Sequence, residues 1–132
     1  MFTTRPDIIG DFGMVASTHW LATACGMSVL ERGGNAFDAT VAAGLLLQVA
    51  EPHLAGPGGE VPILLYRSDN DSVTVINGQG TSPAAATVAK FTELGLDIIP
   101  GSGLLPACVP GAFDAWMLLG MKYGRLRLQE VM

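Results

Sequence analysis

Apolar positions recur along the first third of the chain with a helical period. Leu21, Cys25 and Val29 fall at i, i+4 and i+8, with Ala22 and Leu30 beside them, which predicts a helix with one core-facing stripe. Ser17 or Thr18 is the expected N-cap, and residues 12–17 ahead of it read as a short strand after an irregular lead-in over residues 1–11. Gly26 interrupts the helix, where glycine costs about 1 kcal/mol relative to alanine; a close approach by a neighbouring backbone would account for it. Arg32 and Gly33 suit a helix end, the cation on the negative pole and the glycine at a left-handed position. Asn35 then caps a second helix, and Asp38 places an anion at its third position. Over residues 36–50 only Asp38, Thr40 and Gln48 are clearly polar. A helix apolar nearly all round predicts burial nearly all round, between a sheet and other helices.

Glu51-Pro52-His53 stops that helix, and Gly56-Pro57-Gly58-Gly59 makes a permissive loop. The period then changes. Residues 61–67 and 72–77 read as strands joined through Asp69-Asn70-Asp71, a hairpin signal. Gly78-Gln79-Gly80-Thr81-Ser82-Pro83 leaves the sheet. A helix is expected over residues 84–94, then a Gly/Pro-rich excursion to residue 106. Val109-Pro110-Gly111 introduces a further helix to about Tyr123, ended by Gly124. Residues 128–132 open a helix-like pattern that stops without a cap or polar tail, as in an interrupted chain.

Composition sharpens this picture. The 132 residues are 49% hydrophobic and 14% charged, with a mean hydropathy of +0.41. That is too apolar for a disordered chain, and unusually apolar for a small domain alone in water. Polypeptide beyond these residues, or a second subunit in a homo-oligomer, is expected to cover part of the surface. Seven basic residues stand against 12 acidic ones, and no Lys/Arg cluster exists to neutralise phosphates, so nucleic acid is excluded as a partner. The longest apolar stretch falls short of the roughly 18 residues that a membrane span needs. The absence of a basic segment followed by an apolar run points to a cytoplasmic protein.

Candidate chemistry is sparse. Cys25 and Cys108 read as buried thiols of a reducing compartment, with a single disulfide as the alternative. His19 and His53 lack a third partner at ligand spacing, so neither metal nor cofactor is expected; helix-entry or loop hydrogen bonding is their default. Gly56-Pro57-Gly58-Gly59 is not followed by the Gly-Lys-Ser/Thr of a phosphate loop. Asp38 has a sufficient structural role at the helix start. Trp20 and Trp116 are expected in the core or at an interface.

Taken in order, Met14-Val15-Ala16-Ser17-Thr18-His19, Gly33-Gly34-Asn35-Ala36-Phe37-Asp38-Ala39, Glu51-Pro52-His53 and Gly56-Pro57-Gly58-Gly59 resemble the opening of γ-glutamyltranspeptidase family proenzymes. Ser82-Pro83-Ala84-Ala85-Ala86-Thr87, Val109-Pro110-Gly111 and Tyr123-Gly124-Arg125-Leu126 look like later landmarks of that family. The resemblance implies an α/β fold: part of an αββα N-terminal-nucleophile hydrolase sandwich, helices packed on a mostly antiparallel sheet, with residues 1–132 as one fragment of the large subunit. It also implies a proenzyme that cuts itself, freeing a threonine whose own α-amine serves as base. No residue here fills that role, so no catalytic residue is expected in this chain. Thr3 and Thr4 do not match the processing site. The missing C-terminal segment and small subunit become implied partners, and a small-molecule amide, γ-glutamyl or a related acyl compound, the implied substrate.

Two positions depart from the family pattern. Where the family places an arginine that grips the substrate α-carboxylate, this chain has Gln79 within Gly78-Gln79-Gly80. A neutral amide cannot supply the charge of a guanidinium, a loss of roughly 1.5–3 kcal/mol for one charged hydrogen bond. Gln79 is the one candidate substrate-binding residue, and it turns expectation from glutathione chemistry toward another amide. Glu60 follows the glycine pair where a small or polar residue is usual. It is read either as a solvated loop charge or as a carboxylate facing a cationic substrate. A non-catalytic module retaining the family's helical layer is the competing function.

Overall fold

The structure is a computed structural model and describes residues 7–132. Its elements in chain order are α1 (Trp20–Glu31), α2 (Ala36–Ala50), α3 (Pro52–Ala55), β1 (Val61–Arg67), β2 (Ser72–Gly78), α4 (Val88–Glu93), α5 (Ala112–Tyr123) and α6 (Leu128–Val131). Part of the expected lead-in, with Thr3 and Thr4, lies outside the described residues. Contacts divide the chain into two compact units. One holds the described residues through Gly56 together with Trp116–Met132; the other is Pro57–Ala115.

In the first unit α1 packs on α2, and its buried stripe is Ala22, Gly26 and Val29. That stripe is turned from the one expected: Leu21 is exposed and Cys25 only half-buried. The reason is Gly26. A Cβ there would lie 3.2 Å from the carbonyl oxygen of Ala39 and 3.5 Å from the Cβ of Ala43, so small residues occupy the line of closest approach. The larger Leu21 is displaced to the flank. Val29 and Leu119 are completely or almost completely buried, each contributing on the order of 1.5–3 kcal/mol.

The start of α1 differs from expectation. His19 is the N-cap, its Nδ1 accepting from the Leu21 amide at 3.2 Å. Ser17 is taken up elsewhere: its hydroxyl donates to the His19 carbonyl at 2.7 Å, and Thr18 bonds Glu51. Residues 12–17 form no strand, because no described segment pairs with them. At the far end the expectation holds, with Arg32 as C-cap and Gly33 at φ +93°.

Helix α2 is buried over Asp38, Ala39, Val41, Ala42, Ala43 and Gly44, but its second half is only partly covered and Val49 is 82% exposed. Burial nearly all round is thus confined to the first half. The close packing falls there, against Gly26 of α1 and against α5, whose Trp116 ring lies 2.5 Å from where a Gly44 Cβ would sit. Pro52 does more than stop α2. It takes the first turn of α3, where its missing N–H is harmless. Trp20 is 72% exposed, not core.

In the second unit β1 and β2 pair antiparallel from Val61↔Gly78 to Arg67↔Ser72. Ile63, Leu65 and Ile76 face inward and are buried. The opposite face is also apolar, with Leu64, Tyr66, Val73 and Val75 exposed. The turn carries Asp71 at φ +49°, a left-handed geometry that a short polar residue tolerates. Helix α4 is shorter than expected. Ala84 and Ala85 form a turn, and the Thr87 side chain accepts from the Lys90 amide at 3.2 Å, starting the helix at Val88. Cys108 is exposed, contrary to expectation, because residues 96–111 run as irregular chain around it.

Candidate functional site

Two polar constellations stand beside glycine-rich turns. In the first unit the Asn35 side chain accepts from the amides of Phe37 and Asp38, each at 3.0 Å, and donates to the Tyr123 carbonyl at 2.8 Å. Asp38, 1% exposed, accepts from the Asn35 amide at 2.9 Å. It accepts also from the amides of Arg125 and Leu126 beyond the end of α5. A capping box has become a clamp joining the start of α2 to the end of α5. Gly124 permits it, since a Cβ there would lie 2.5 Å from Asp38 Oδ1. A cleft of about 310 Å³ adjoins, lined mainly by apolar side chains, Val41, Trp116, Leu126 and Val131 among them. Asp38 in its wall is committed to backbone amides.

In the second unit three backbone segments crowd together. The amides of Gly111 and Ala112, opening α5, donate to the Gly59 carbonyl at 3.2 and 3.1 Å, and the Val109 amide donates to the Thr81 carbonyl at 3.0 Å. A Cβ on Gly80 would collide with the Val109 carbonyl, and one on Gly111 would lie 2.5 Å from the Gly78 carbonyl. Glycine is therefore required at both positions, so that Gly78-Gln79-Gly80 can lie against Val109-Pro110-Gly111.

Gln79 projects from this cluster, exposed, with its backbone amide held by Asn77 Oδ1 at 3.2 Å. Its side-chain Nε2 donates to Glu60 Oε2 at 2.7 Å. Glu60 and Gln79, each singled out by sequence as an expected departure from the family pattern, therefore meet. Sequence reading singled out each and missed the pairing. The signal was present: with Val61 opposite Gly78, residues 60 and 79 are the next opposed pair at the open end of the hairpin.

The unit's cations lie elsewhere. Arg67 pairs with Asp69 beside the turn, and its guanidinium holds the Asp69 carboxyl below the usual 3.8; Lys90 pairs with Glu93 at 3.1 Å. His19 caps α1, and His53 stands exposed in the last turn of α3. Among the described residues no three His, Cys, Asp or Glu side chains gather as metal ligands, and no helix is long and apolar enough to cross a membrane.

Helices and an antiparallel hairpin in this order, of α/β class, match solved structures of N-terminal-nucleophile hydrolases. The gamma-glutamyltranspeptidase family model matches residues 22–132, and the chain belongs to that family. It is 40% identical over 126 residues to the glutathione hydrolase-like YwrD proenzyme of Bacillus subtilis (strain 168), covering 95% of this chain and 24% of that protein. Two solved structures of LmbA2991 match all of this chain and 22% and 23% of theirs, with TM-scores of 0.90 and 0.88 at 59% and 57% identity. A cephalosporin acylase from Bacillus halodurans matches at TM-score 0.87 and 32% identity, over 99% of this chain and 24% of its own. The chain thus spans about a quarter of the length of these relatives, and corresponds to the N-terminal part of hydrolases and transferases made as proenzymes.

Proposed function

We propose that the complete protein containing these residues cleaves or transfers an acyl group from an amide, through a threonine outside this chain that self-cleavage makes N-terminal. The threonine Oγ would attack the amide carbonyl carbon while its own α-amine takes the hydroxyl proton. Collapse of the tetrahedral intermediate breaks the C–N bond, and the leaving amine receives that proton. The resulting ester passes its acyl group to water or to an amine.

The observation that carries this reading is the family match over residues 22–132. The proenzyme name of the Bacillus relative supports the self-cleaving step. Gln79 is the residue of this chain proposed to meet the acyl group, and its neutrality favours an acyl group other than γ-glutamyl. Relatives named as a glutathione hydrolase-like proenzyme and as a cephalosporin acylase support a scaffold open to more than one acyl donor.

The test is the intact mass of the complete protein before and after incubation, followed by release of p-nitroaniline from a panel of acyl anilides. Splitting at a threonine with turnover of at least one anilide is expected. A chain that stays whole and releases nothing would favour a non-catalytic module of the same family.

A further inference from the structure

Glu60 and Gln79 close the open end of the hairpin as an opposed pair, bonded at 2.7 Å. A glutamine amide offers two N–H donors and one carbonyl acceptor. With one N–H committed to Glu60, the exposed edge presents the Gln79 carbonyl oxygen, the second Glu60 oxygen and a single remaining N–H. Acceptors dominate, and the pair carries a full negative charge. The unit's two cations are Arg67 and Lys90, both in ion pairs, and Arg67 lies six residues along β1, roughly 20 Å of strand. Against these two stand Glu60, Asp69, Asp71, Glu93, Asp97 and Asp114, so the field over Pro57–Ala115 is negative.

We infer that Glu60 and Gln79 form an acceptor-rich subsite that selects an acyl group bearing an ammonium or other N–H donor and rejects one bearing a carboxylate. The inference rests on the reading above that Gln79 meets the acyl group, and it makes Glu60 a specificity-determining residue. An ammonium gains a charge-assisted bond to the free Glu60 oxygen, while a carboxylate meets like charge and one donor.

Four p-nitroanilides separate these terms on the complete protein: butyryl, γ-aminobutyryl, glutaryl and γ-glutamyl. They add nothing, an ammonium, a carboxylate, or both to one chain. We expect kcat/KM for γ-aminobutyryl to exceed butyryl by about tenfold and glutaryl to fall below butyryl. Glu60→Gln keeps a bond to Gln79 but removes the charge, so the γ-aminobutyryl-to-butyryl ratio should fall about tenfold and the glutaryl-to-butyryl ratio should rise. A protein that splits itself yet prefers glutaryl or γ-glutamyl, or whose ratios ignore Glu60→Gln, overturns the subsite alone. A protein that neither splits nor turns over any anilide overturns the enzyme reading. Calorimetry with free γ-aminobutyrate and glutarate then decides the subsite separately. Tighter γ-aminobutyrate, weakened in Glu60→Gln, supports it; glutarate binding equally or more tightly overturns it.

Discussion

Asp38 and Glu60 both stand beside glycine-rich turns, and they differ in what remains of their hydrogen-bonding capacity. Asp38 is buried and accepts from three backbone amides, of Asn35, Arg125 and Leu126. Glu60 is exposed and has one side-chain bond, from the neutral amide of Gln79. A carboxylate saturated by main-chain donors fixes a fold. One that is half-used, at the open end of a hairpin, is free to meet something else.

The contrast breaks first at Asp38. Asp38→Ala strands three buried or half-buried amides, and a loss of about 3 kcal/mol or more is expected, read as a lowered unfolding midpoint of the complete protein. An unchanged midpoint would mean the clamp is decorative. Gly44→Ala comes next. Its Cβ would meet the Trp116 ring at 2.5 Å, an overpacking cost of roughly 1–3 kcal/mol. Combining it with Trp116→Leu should recover part of that loss; strict additivity of the two changes would show that the ring does not press on Gly44. Glu60→Ala should move the same midpoint by under about 0.5 kcal/mol, because the side chain is exposed. A large drop there would put Glu60 in the class of Asp38. The smallest effect is at Asp69, where Arg67 holds the carboxyl pKa below 3.8. A depressed pKa means a contribution present above that value and lost as pH falls through the folded-state midpoint. An NMR titration should find the Asp69 midpoint below 3.8 in the wild type and nearer to it in Arg67→Gln.

What sequence revealed follows the range of the interactions. The Asn35–Asp38 cap, the positive φ of Gly33, the close approach at Gly26 and the hairpin turn all depend on residues a few positions apart or on backbone freedom, and each was legible. The face of α1 was not, because the partner helix chooses which stripe to bury and small residues prevailed over Leu21. His19 displaced Ser17 as cap because the serine hydroxyl found the His19 carbonyl, a contact that cap preferences do not encode. The amides of Arg125 and Leu126 on Asp38 come from far along the chain, so only the fold reveals the clamp. The Glu60–Gln79 pair sits between these cases. Hairpin register carried it, but reading the two residues as separate departures hid it.

The hairpin has one more consequence. With Leu64, Tyr66, Val73 and Val75 exposed opposite the buried Ile63, Leu65 and Ile76, it is apolar on both faces and leaves one of them open. Such a ribbon stacks readily with copies of itself. During synthesis it emerges from the ribosome well before any later stretch of polypeptide, so yield in a heterologous host should depend on chaperone supply and growth temperature. Placing a lysine at Val73 or Val75 would trade that hazard for a defect in whatever layer settles there.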